Sequence, residues 1–315
     1  RRPRCGCSRT RSRPSATPEL ALTLESVLGE GSVGAIAWST DGAKLAIGGT
    51  GGVTIYDAAT LALEQTLEVK DLNGWDVSRL AFSPNGKFLL VGWFDQLRVY
   101  VLKNGTVRTL EPDVYLDSIA DVAFSPDSQW IAVNIHYFSR DSSSTTVVLL
   151  DALSGRLKYV FISEESVEAS AMAFSPDGRW FAVASQDQIR IWDVTDGSLA
   201  TTLVGHTHTV LSLAFTPDGN ALVSGGADGA LRIWGVGAWS LTRTERDFSQ
   251  AIDRLQFAAD GGRLLVAVDH ALQTRRWPSL EPVGVLDSVA PTVSISPDGR
   301  RFVDWLTVRD TLTGQ

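Results

Sequence analysis

Apolar and polar positions alternate along most of this chain in short runs, and the runs are cut at close intervals by Asp, Gly and Pro. The stretch 169–197, ASAMAFSPDGRWFAVASQDQIRIWDVTDG, is typical: its runs are rich in β-branched and aromatic residues and each is bounded by turn formers. No stretch sustains a helical apolar period over the roughly ten residues that a helix needs. The pattern predicts an all-β chain in which each unit reads strand, Pro-Asp-Gly turn, strand, tight turn, strand, loop, strand.

The unit repeats. Ala-Phe-Ser-Pro-Asp-Gly stands at 173–178, Ala-Phe-Thr-Pro-Asp-Gly at 214–219 and Ala-Phe-Ser-Pro-Asp-Ser at 123–128. More worn copies centre on Trp38, Phe82, Phe257 and Ile295. With the aromatic or its substitute as marker, the seven copies lie 44, 42, 50, 41, 42 and 38 residues apart. A period of that size points to propeller blades or a solenoid. The 50-residue interval is assigned to an expanded loop between the second and third strands of its unit, Asn134 to Asp141 and the Ser/Thr run behind it.

On these residues the chain resembles the WD40-repeat family, with degenerate repeats, over nearly everything after residue 18. The family's aromatic-Asp dipeptide stands as Trp192-Asp193 and Tyr56-Asp57; it is worn at Tyr100-Val101, Leu150-Asp151, Trp234-Gly235, Trp277-Pro278 and Arg309-Asp310. The resemblance implies a seven-bladed β-propeller of four-stranded antiparallel blades. A spare strand pattern at 19–24 precedes the first unit and the last unit ends after its third strand. The N- and C-terminal segments are therefore expected to complete one blade together, which would pair edges otherwise left open.

Two regions follow: a basic tail or linker at 1–18, predicted to be disordered, and the propeller at 19–315. The tail holds six arginines and no acid. Formal net charge is −8 overall, so the rest of the chain is more acidic still, which argues against nucleic acid as its main ligand. The composition suits a soluble globular protein, and no apolar run is long enough to span a bilayer. Because the chain begins with Arg, a processed form, a fragment or a mis-called start is expected; the compartment stays open. Cys5 and Cys7 both lie in the tail, which excludes a disulfide framework for the body, and their spacing without a second pair or His makes no metal site.

Several motifs offer chemistry that their context withholds. The glycine-rich stretch 29–34 leads straight into a strand pattern rather than a helix or a kinase strand pair. His-Glu-x-x-His, Gly-x-Ser-x-Gly and a Walker lysine loop are absent from the sequence, and the histidines at 136, 206, 208 and 270 are dispersed in the repeat frame. No cofactor is expected. Asp127, Asp177, Asp218 and Asp298 form turns, where a short polar side chain caps the backbone. Asn104-Gly105-Thr106 fits a glycosylation sequon but reads better as a hairpin turn.

The resemblance also implies a structural tetrad in the fifth unit, where His206, Ser224, Asp228 and Trp234 match the family's hydrogen-bonded chain. In that role the Ser, His and Asp staple strands together and are not a catalytic triad.

Candidate partner-binding residues gather on the face carrying the loops that enter each unit. They are Trp75, Asp76, Trp93, Tyr115, Asp117, His136, Tyr137, Phe138 and Arg140, with Phe94 beside Trp93. Exposed aromatics with Arg have the composition of interface hot spots, although a propeller aromatic often belongs to the core. Glu30, Asp76, Asp117, Glu168 and Asp287 are expected to ring the mouth with carboxylates and to attract a basic segment or a cation. The leading reading is a non-enzymatic, monomeric scaffold that binds a protein or peptide on this face. One alternative is a propeller hydrolase or lactonase-like enzyme with its site in the central mouth, and another is a sensor or accessory domain of a larger signalling protein.

Overall fold

The computed structural model describes residues 32–311 except 71, 111, 113, 139–142, 166–167, 288–292 and 305–306. Alternation, turn and strand follow as the pattern predicts. Each strand pairs antiparallel with the next in sequence, giving six four-stranded sheets and, among the described residues, three strands of a seventh. The protein is a seven-bladed β-propeller. The expected tail at 1–18 and the expected closing strand at 19–24 lie outside the described residues.

Strand periodicity explains the core. In Trp130–Phe138 of blade 3, Ile131, Val133 and Ile135 face blade 2, whereas Ala132 faces blade 4. Because every blade is apolar on both faces, apolar cores fill each junction between neighbours. The last junction closes the ring: Trp38, Leu45, Ile47 and Tyr56 of blade 1 pack with Val303 of blade 7, and the Trp38 indole donates to the Ser294 carbonyl at 3.2 Å.

The Pro-Asp-Gly turns form the bottom face. In blade 4 the Asp177 carboxylate accepts the Arg179 amide at 3.1 Å, and the Ser175 hydroxyl accepts the Trp180 amide at 2.8 Å. Gly178 sits at φ 73°, which only a residue without Cβ adopts freely. The equivalent hydroxyl of Ser39 and amide of Ala43 hold the Asp41 carboxyl below the usual carboxylate range. These acids shape turns.

Blade 3 departs from the expected pattern. The 50-residue interval lengthens strands and not a loop: Trp130–Phe138, Ser143–Asp151 and Leu157–Glu165 each run to nine residues. Pairing continues from Trp130↔Asp151 to Phe138↔Ser143. The Ser/Thr run, read as loop for its polarity, contains Thr145 and Thr146, whose branched Cβ suits a strand. The result is a three-stranded ribbon longer than the six-residue second strands of the neighbouring blades.

Candidate functional site

Where the ribbon of blade 3 meets blade 2, two aromatic pairs reach the surface. Trp75, in the loop entering blade 2, is 52% exposed and stacks on Phe94, 40% exposed, at a centroid distance of 4.5 Å and an interplanar angle of 10°. Phe94 occupies the tight turn after Phe88–Trp93 with φ 44°. A bulky side chain at positive φ is uncommon and is held only where its surroundings impose it. Tyr115, 73% exposed, lies over Tyr137 at 6.3 Å, and the Tyr137 hydroxyl donates to the Tyr115 carbonyl at 2.6 Å. Burial raises the Tyr137 phenol above its usual value.

Trp93 does not belong to this surface. It is 1% exposed and packs between blades 1 and 2 with Val69 and Val77. It ends a strand whose alternation turns it inward, and Phe94, one residue on, takes the outward place. The remaining expected residues fall into place as follows. His136 is half-buried and lines the mouth, Asp76 accepts the Ser32 hydroxyl, and Asp117 is half-buried beside Tyr137. Glu168 and Asp287 are exposed, but of these two only Glu168 lines the mouth cavity. Glu30, Arg140 and the Phe138 side chain lie outside the described residues.

Beneath the aromatics, a cavity of about 600 Å³ opens at the mouth of the axial channel, lined by residues of blades 2 to 5. A smaller one of about 430 Å³ runs from Trp75 and Phe94 to Arg79 and Ser118. Arg79 and Ser118 line both, so the aromatic surface leads into the channel.

The channel carries charges that the loop-centred reading missed. Three residues ahead of the first six markers, the inner strands place Ala35, Arg79, Asp121, Ala171, Ser212 and Arg254. Asp121 and Arg254 are enclosed by the ring yet touch channel space, because their walls are protein while their ends face the axis. Burial raises the Asp121 carboxyl and outweighs the opposing pull of Arg79 and Arg254. The signal was present in sequence: charge interrupts inner-strand segments that elsewhere hold Ala or Ser.

Side chains of the first strands, and of the second strand in blade 3, also stitch blade to blade. Arg79 Nε donates to the Ala120 carbonyl at 2.6 Å, Asn134 Nδ2 to Ala169 at 2.9 Å and Ser170 Oγ to Val210 at 2.5 Å. Ser212 Oγ reaches Ile252 at 3.2 Å and Gln256 Nε2 reaches Ile295 at 3.0 Å.

The blade 5 tetrad is assembled. His206 Nε2 lies 2.8 Å from Ser224 Oγ, which accepts Trp234 Nε1–H at 2.9 Å; His206 Nδ1 lies 3.0 Å from Asp228. Arg232 adds a fifth member, buried against Asp228 at 2.9 Å. Burial keeps the His206 imidazole below its usual pKa, more than the Asp228 hydrogen bond restores. For Asp228 the balance reverses: burial opposes ionisation, but His206 and the Thr207 amide outweigh it and hold the carboxyl low. With Ser224 fully buried, its hydroxyl has no path to a substrate. Among the described residues, no group of three or more His, Cys, Asp or Glu is placed to hold a metal, and no helix is long and apolar enough to cross a membrane.

Comparison with known proteins agrees with this geometry. The family model for the WD domain, G-beta repeat, matches 155–193 and 197–235, the second including the tetrad. An uncharacterized WD repeat-containing protein of Synechocystis is 30% identical over 148 residues, 47% of this chain and 40% of the relative. The COMPASS component SWD3 of Saccharomyces cerevisiae is 26% identical over 204 residues, 62% of each chain. The small ribosomal subunit protein RACK1y of Oryza sativa is 27% identical over 173 residues, 52% of this chain and 48% of the relative. In each case the match spans less than two thirds of the relative's own length. Two blades match the family model, the relatives are WD repeat proteins and the ring has seven blades, so the chain is similar to WD40-repeat propellers.

Proposed function

We propose that the protein is a non-enzymatic recognition module that seats a protein or peptide on the top of blades 2 and 3. The observation that carries this reading is the stacked, exposed pair of Trp75 and Phe94, continued by Tyr115. Aromatic rings that present large area with few rotors to freeze are typical binding anchors. Asp76 and Asp117 beside them favour a basic segment in the partner. Two relatives support a role in assemblies, one being named a component of COMPASS and the other a ribosomal subunit protein.

The enzymatic alternative draws on the mouth cavity, where Asp121, Glu168 and His136 come together and burial raises Asp121. It ranks second because the Ser-His-Asp chain of blade 5 is buried and lines no part of that cavity.

Panning a random-peptide display library against the protein tests the recognition reading. Enriched peptides rich in Lys or Arg are expected, with affinity falling at least about tenfold against Trp75→Ala/Tyr115→Ala. Both side chains are exposed, so the variant should fold. Equal binding to the variant, or no enrichment, would sink the proposal.

A further inference from the structure

The exposed aromatics of blades 2 and 3 are held in place by the protein itself. Trp75 is fixed by its stack on Phe94 and by a tight turn in which its amide donates to the Leu72 carbonyl at 2.7 Å. Phe94 is kept at positive φ, and its carbonyl accepts the Ile119 amide at 3.0 Å. The Tyr115 carbonyl accepts the Tyr137 hydroxyl, and the Ser78 amide donates to the Gly92 carbonyl at 3.0 Å. With these backbone groups already spent, a partner strand has nothing to pair with at these positions. What remains is of another kind. Among the described residues, neither the Trp75 indole N–H nor the Tyr115 hydroxyl has a protein acceptor, and both side chains are exposed.

Two ring surfaces with a free donor on each suit a chain rich in carbonyls and poor in N–H groups. Proline meets both conditions, because it has no N–H to leave unpaired and its ring packs against an aromatic face. A polyproline II backbone makes no internal hydrogen bonds, so its carbonyls stay free to accept, and its stiffness leaves little entropy to lose on docking. The scale agrees. Tyr115 precedes Ile119 by four residues, a length of chain that spans at most about 14 Å and that about five residues of polyproline II cover. Resting on the recognition reading above, we infer that the basic segment is bound as a proline-rich polyproline II stretch. Its prolines pack on the Trp75–Phe94 stack and on Tyr115, and its carbonyls accept from the Trp75 indole N–H and the Tyr115 hydroxyl. Asp76, which lines the cavity of about 430 Å³ beside Trp75 and Phe94, takes an Arg or Lys flanking the prolines.

Fluorescence anisotropy of the full chain with two labelled peptides of equal length and charge provides the test, one of repeated Pro-Pro-Arg and one of repeated Gly-Ser-Arg. The proline peptide is expected to bind about tenfold tighter or more. Trp75→Phe/Tyr115→Phe keeps a ring at each exposed position and removes both donors; the proline peptide should then bind about tenfold more weakly while the melting temperature holds. Equal binding of the two peptides by the native protein would overturn the inference and leave recognition of a basic segment standing. Binding of neither peptide would also refute it, with the recognition reading then decided by the display library. Unchanged affinity for the proline peptide in the folded double variant would show that the two donors are not used, which rules the inference out as well.

Discussion

At the scale of single residues, the clearest device is the tetrad, which the resemblance to WD40 repeats implied at its four positions and whose hydrogen bonds the fold assembles. Its fifth member, Arg232, was not foreseen; nothing in the repeat phrase reserves that position for a buried cation. The network makes stability depend on pH with a definite sign. His206 has a folded pKa below its ordinary value, so it is neutral in the native state and the unfolded chain binds the proton more readily. Its contribution is therefore complete above roughly pH 6.5 and is lost as pH falls through the folded value. Asp228, also depressed, adds a loss of the same sign further into acid. Thermal melts across this range should show falling stability toward acid, and His206→Gln should flatten the upper part of that slope. A variant with an unchanged slope would remove His206 from the account. Trp93 and Phe94 show where residue-level reading stops. They are adjacent aromatics, and which of them faces out depends on a one-residue register that composition does not carry.

At the scale of elements, seven units and their bottom turns were legible because each turn uses a local Asp or Asn solution, followed by Gly in six of the seven and Ser in the other. The ribbon of blade 3 was not, since Ser and Thr serve loops and strands alike, and only pairing partners decide between them. Among the described residues, its outer part is braced by Tyr137, which donates to the Tyr115 carbonyl and packs on the core between blades 2 and 3, and it is paired along its length within its own blade. Replacing 137–144 by a tight Asn-Gly turn should thus leave a cooperatively folded propeller, because His136 and Thr145 already face each other across the strands. Circular dichroism melts would check this. Loss of the cooperative transition would mean that the ribbon supports the ring as well as its top surface.

At the scale of the whole molecule, each blade depends on both neighbours, so local damage should be felt globally. Leu90, fully buried between blades 2 and 3, tests this. Leu90→Ala should cost about 2–5 kcal/mol and lower one calorimetric transition without splitting it. Two separated transitions would show that blades melt independently. The channel layer was hidden for a related reason. Arg79, Asp121 and Arg254 are scattered in sequence and become neighbours only after the ring closes. The bonds from strand side chains to the next blade's carbonyl carry a last consequence. Arg, Asn, Ser, Ser and Gln make them in turn, each with a reach suited to its own junction. Repeats that look interchangeable as text are thus keyed in order like the links of a combination lock. Shuffling two of them would keep every turn and strand and still leave junctions that do not latch.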